Sequence, residues 1–200
     1  MRLFLSLKRD TPIIILDCET YTNYFLLSML DTDSGHIKDF ELFDGQDFDS
    51  KTVTAILKKH TTLGFNSLNY DLPVIVAALR GDTNAQIKQL SDDIINAPKV
   101  WPVLKKHKIN IPQGFDHIDI IELPIGQASL KIYGGRLHAP KLQDLPIEPS
   151  AIITPEQRET LRLYCHNDLQ VTRILYEELK PQIALREQMS KQYNIDLRSK

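Results

Sequence analysis

The residues in this chain that could do chemistry are acids standing where apolar residues are expected. Ile13, Ile14, Ile15 and Leu16 form an unbroken apolar run, three of them β-branched, and Asp17, Cys18, Glu19 and Thr20 follow at once. Such a run reads as a strand buried on both faces. Side chains alternate along a strand, so Asp17 and Glu19 share one face while Cys18 points away. Two carboxylates at the edge of an apolar core repel each other and lose solvation, and a divalent cation compensates both costs directly. Asp168 is a second misplaced acid. It falls on the helical stripe Leu161, Tyr164, Cys165, Thr172, Leu175 and Leu179, and Tyr164, four residues earlier, shares its face. A third is Asp71, just ahead of Leu72 and Pro73. Each has a plain reading by itself: Asp168 pairs with Arg162 or Arg173, Asp71 caps a helix or sits in its first turn, and Asp-x-Glu ends an ordinary strand. Their combination and order carry the argument.

The elements that must position these acids follow from pattern. Tyr24 to Leu30 and His36 to Phe43 read as two further strands around the turn Asp31-Thr32-Asp33-Ser34-Gly35, giving an antiparallel meander with the first. Asp49 to His60 has helical spacing and a basic end. A short strand over 61–66 runs into a helix starting near Asp71, stopped by Gly81 and Asp82, and another helix covers Thr83 to Ile95. Lys99 to Gln113, with two prolines and a lysine cluster, is assigned little structure. Phe115 to Ile121 returns to strand character, and Gln127 to Leu137 reads as a helix broken at Gly134 and Gly135. Thr154-Pro155-Glu156-Gln157 opens a final helix that Pro181 is expected to end, leaving a short helical tail over 181–200. Together these give an α/β class chain with a mixed β-sheet flanked by α-helices.

Composition sets the outer limits. The 200 residues are 42% hydrophobic and 25% charged with net charge −2, ordinary for one globular domain and without the basic excess of a duplex-wrapping protein. Local grip on a few phosphates remains open. The two cysteines form no CxxC pair and read as buried small apolar residues in a reducing compartment. Met1 to Leu7 lacks the length and cleavage site of a signal peptide, and no run is long enough to span a bilayer, so a soluble cytoplasmic protein is expected.

Three segments in order resemble the motifs of the DEDD exonucleases: Asp17-Cys18-Glu19-Thr20 after the apolar run, Phe65-Asn66-Ser67-Leu68-Asn69-Tyr70-Asp71-Leu72-Pro73, and Tyr164-Cys165-His166-Asn167-Asp168. The middle segment is similar to the form seen in family-B DNA polymerases. The third has the spacing of the tyrosine subclass; the histidine subclass would need His at position 163, which is Leu163, and His166 is wrongly spaced. The resemblance covers roughly 13–179.

That resemblance implies a ribonuclease H-like fold and a metal-dependent 3′→5′ exonuclease of the proofreading kind. The substrate would be the 3′ end of single-stranded or frayed DNA, and the products nucleoside 5′-monophosphates. Asp17, Glu19, Asp71 and Asp168 would hold two divalent cations, Mg²⁺ or Mn²⁺, with Tyr164 orienting the attacking water. Thr20, Phe65 and Asn66, beside the acids, are the expected substrate contacts. Lys131, Arg136 and Lys141 could hold phosphates but read more simply as solvated charges, and Asp116 and Asp119 read as structural. The implied setting is a monomeric exonuclease domain over 1–180, phage-encoded in a bacterial host. Residues 181–200 would then be the start of a linker to a DNA polymerase domain, or the end of a stand-alone enzyme. An exoribonuclease and a silent nucleic-acid-binding module on the same fold are the alternatives.

Overall fold

The computed structural model describes residues 12–124, 126 and 128–199. Met1 to Leu7 and Gln127 lie outside them. The first three strands are β1 (Ile14–Tyr21), β2 (Tyr24–Asp31) and β3 (Ile37–Leu42), the expected antiparallel meander. Helix α1 (Ser50–Lys59), capped by the Asp49 carboxylate, carries the chain back so that β4 (Thr62–Gly64) lies parallel to β1. Then come α2 (Asp71–Arg80), α3 (Asn84–Asn96), α4 (Val100–Lys106), β5 (His117–Asp119), α5 (Leu130–Arg136) and α6 (Gln157–Tyr193). β5 pairs parallel to β4, and the five-stranded mixed sheet has the order β3-β2-β1-β4-β5.

β1 is central and apolar on both faces, as its sequence requires. Leu16, Cys18, Phe25, Leu27 and Met29 pack with α1, α2 and α3 on one side; Ile15, Leu30, Leu63 and Ile118 pack with α5 and α6 on the other. Helix α3 lies across the end of the sheet where β1 finishes. Asn84 at its start donates to the Leu42 carbonyl at the end of β3, and Ser91 bonds Thr20 near the end of β1. Helix α6 runs down the opposite face. Arg158 and Arg162 both reach Glu41 of β3, His166 reaches Asp39, and Arg173 reaches the Thr32 carbonyl beyond β2.

Three expectations need correction. Lys99 to Gln113 contains α4; buried Val103 within it and buried Ile109 just after it anchor the segment to the core despite the prolines; Pro102 sits in the first turn, where a missing N–H costs nothing. Helix α5 is not broken at Gly134 and Gly135. A Cβ at Gly134 would lie 2.8 Å from Val171 Cγ1 and 2.9 Å from Leu142 Cδ2, so the glycine is a packing requirement between α5 and α6. Pro181 does not end α6, which runs on for 37 residues in all. Ile183 and Ser190 stay buried beyond it, and that burial outweighs the lost backbone bond. The expected boundary at 180/181 therefore falls inside one helix. Among the described residues no helix is long and apolar enough to cross a membrane.

Candidate metal centre

β1 delivers Asp17 and Glu19 to the face covered by α6, opposite Ser28 and Leu26 of β2 in register. One turn of α6 completes this side. Cys165 is fully buried, and its thiol donates to Asp17 Oδ2 at 3.4 Å and to the Asp17 carbonyl at 3.6 Å. Carboxylate oxygens of Asp17 and Glu19 and the Cys165 Sγ all lie within 4.8 Å of one another. Asp168 follows on the same helix, one turn after Tyr164, which is itself buried.

Asp71 arrives from the other side through the loop between β4 and α2. The sequence shapes that loop closely. A Cβ at Gly64 would stand 2.6 Å from Ser67, so only glycine allows the turn, and Asn66 adopts the left-handed conformation that asparagine tolerates (φ 58°). Asp119 of β5 then accepts the backbone N–H groups of Asn66 and Leu68, both at 2.9 Å, and of Ile121 at 3.1 Å. Buried His117 bridges Thr62 Oγ1 (2.8 Å) and Ser67 Oγ (2.7 Å). Burial drives the His117 pKa down to about 3, so the ring works as a neutral strut. Asp71 emerges 3% exposed at the first position of α2, after the capping position Tyr70, and among the described residues its Oδ1 has no hydrogen-bond partner.

These acids sense one another. Burial, then the charge of Asp168, raises the Asp17 pKa to about 7. Burial followed by Asp17, Asp168 and Asp71 pushes Glu19 well up, and burial followed by Asp17 and Asp119 does the same to Asp71. Burial also raises Asp168. Tyr164 is pushed up by burial, then by Asp168 and Glu19, which keeps its phenol protonated. Among the described residues none of the four acids has an ion pair. Arg162, expected as a partner for Asp168, is taken by Glu41 and Glu159, and Arg173 by the Thr32 carbonyl. Among the described residues the cation whose charge bears on Asp168 is Lys131, itself paired with Asp144. Four mutually repelling carboxylates with an unpartnered buried oxygen are what a hard divalent cation would relieve, and an oxygen-dominated donor set suits Mg²⁺ or Mn²⁺ better than zinc.

The charges of Asp17, Glu19, Asp71 and Asp168 thus act on one another and on Tyr164, while among the described residues the close donor group is Asp17, Glu19 and Cys165. The expected substrate contacts are placed otherwise. The Thr20 side chain is on the opposite face of β1 from the acids, buried and bonded to Tyr70 Oη (2.9 Å) and Ser91 Oγ (2.8 Å), so it is a structural tie and not an open contact. Phe65 packs edge-on against Tyr133 (6.0 Å between centroids) at the edge of the core. Asn66 is half-buried, its side chain accepting from Asn69. One participant was missed by sequence reasoning. Cys165, read as inert filling, contacts Asp17; its place beside Tyr164 on the apolar stripe was the available signal. Asp119, read as structural, does hold the loop, through backbone groups some fifty positions earlier. No protein-family model matches this chain, and no curated protein matches it.

Proposed function

We propose that this chain is a metal-dependent 3′→5′ exonuclease on a ribonuclease H-like fold, acting on the 3′ end of single-stranded or frayed DNA. The observation that supports the reading is that Asp17, Glu19, Asp71 and Asp168, from three separated segments, are buried, act on one another's charge, and among the described residues have no ion pair. Asp17, Glu19 and Asp168 would hold one divalent cation, and Asp17 with Asp71 a second. When bound, such ions supply an activated water and charge stabilisation for the leaving 3′ oxygen. The protein's own groups do the rest. Tyr164, protonated and one turn before Asp168, presents a phenol oxygen that orients the water without acting as a base. The Cys165 thiol holds Asp17 in place, and the Asp119-bound loop sets the position of Asp71. A frayed mismatch supplies a free strand at reduced unpairing cost, the physical basis of proofreading.

The test is digestion of 3′-labelled and 5′-labelled oligonucleotides, DNA and RNA in parallel, with Mn²⁺ or with EDTA. Stepwise release of mononucleotides from the 3′ end of DNA, lost in EDTA, is expected. Asp17→Ala should lower the rate by about a thousandfold, the scale of removing a principal electrostatic contributor. Undiminished cleavage by purified Asp17→Ala would sink the proposal, and faster attack on RNA would reassign the substrate.

A further inference from the structure

A tryptophan left in water with lysines around it needs an explanation that the acidic centre does not supply. Trp101 of α4 is 70% exposed, the most exposed large hydrophobic residue of the described chain. The Lys105 ammonium stands over its ring at 5.5 Å from the centroid. Lys99 to Phe115 carries four lysines and no Asp or Glu, in a chain with 26 acids. Lys106 is neutralised by Asp93, but among the described residues Lys99, Lys105 and Lys108 are exposed and have no ion pair.

Helix α4 holds this patch in place. Helix α3, tied by Ser91 to Thr20 and to Tyr70, continues five residues past Ser91, about 7 Å. Helix α4 is pinned to it where Asp93 receives Lys106 Nζ and His107 Nε2, both at 2.6 Å. Trp101 stands at the start of α4, five residues before Lys106.

We propose that Trp101, Lys99 and Lys105 form a platform for single-stranded nucleic acid, with a base stacked on the indole and phosphates on the lysines. This deepens the nuclease reading and rests on it for the identity of the strand. The charge pattern selects the occupant. Every base offers a π face to an exposed indole, and a polyanion matches an acid-free lysine cluster, whereas an apolar protein partner would leave three ammonium groups uncompensated.

Trp101 is the only tryptophan, so intrinsic fluorescence reports on this spot alone. Titrating the full chain with oligothymidylate in EDTA should quench it saturably, with affinity falling as salt is added. By anisotropy of a labelled oligonucleotide, Trp101→Ala should weaken binding about tenfold. Lys105→Ala and Lys99→Ala should each weaken it about threefold. Lys58→Ala, on α1 at the opposite end of the sheet, should not change it. Binding that leaves the emission unchanged, an equal effect from Lys58→Ala, no binding at all, or a change in emission driven by protein self-association would each overturn the platform. A parallel digest with Mn²⁺ separates the two readings. Hydrolysis without quenching overturns the platform alone; quenching without hydrolysis supports the platform and overturns the nuclease.

Discussion

Asp17 illustrates at the scale of one residue how a site is held against the preference of the fold. Its pKa of about 7, against an ordinary 3.8, means that burial and Asp168 favour the protonated acid. In the metal-free protein the folded state therefore keeps a proton between about pH 4 and 7 that the unfolded state has lost, so stability falls as pH rises through that window. Asp17→Asn removes the charge without removing the shape. At pH 8 in EDTA it should raise stability by about 2 kcal/mol, a gain that disappears near pH 4. Denaturant titrations of both proteins at the two pH values check this; equal midpoints throughout would mean that Asp17 is not strained. Mn²⁺ should stabilise the parent protein more than Asp17→Asn, since a ligand that binds only the folded state adds to its stability.

At the scale of elements, the loop between β4 and α2 decides whether Asp71 reaches the centre. Asp119 accepts three backbone N–H groups, two of them from this loop, and among the described residues these have no other acceptor. Asp119→Ala should cost about 2–3 kcal/mol in denaturant unfolding, because buried donors are orphaned. It should also lower kcat more than it changes substrate affinity, since the loop carries an acid and not a strand contact. A variant with lower stability but unchanged kcat would assign Asp119 to packing alone. Helix α6 is the complementary element. Buried Glu41, bonded by Tyr24 Oη at 2.6 Å and by Arg158 and Arg162, fixes its upper turns on β3 so that Cys165 and Asp168 face Asp17.

At the scale of the whole molecule, the far end of α6 returns to the sheet. Arg198, with its side chain 12% exposed, bonds Asp116 at 2.6 Å, Asp116 also accepts from Thr61, and the Asp119 N–H donates to Ser199 Oγ at 2.9 Å. The last residues thus cover the edge strand β5, which would otherwise present unpaired backbone groups. Arg198→Ala should cost about 1–2 kcal/mol and raise amide exchange in β5 more than in β1. Exchange that rises uniformly would mean that the tail has no local hold on the edge.

The sequence by itself determined the central strand, the meander, the starts of α2 and α6, and the identity of the acids, because each rests on local spacing. Period-2 and period-3.6 patterns mark faces, and an acid on an apolar face is visible without coordinates. Only the tertiary structure decided that the charges of Asp17, Glu19, Asp71 and Asp168 act on one another, that Arg162 and Arg173 are engaged elsewhere, and that Cys165 contacts Asp17. It also decided that Pro181 and the Gly134-Gly135 pair are helical, since burial on α6 and close packing against Val171 override the local preference for a break. Thr20 shows the division most plainly. Its neighbours in sequence are the site, but strand alternation turns its side chain to the opposite face, and Tyr70 and Ser91 meet it there only because α3 crosses the end of β1.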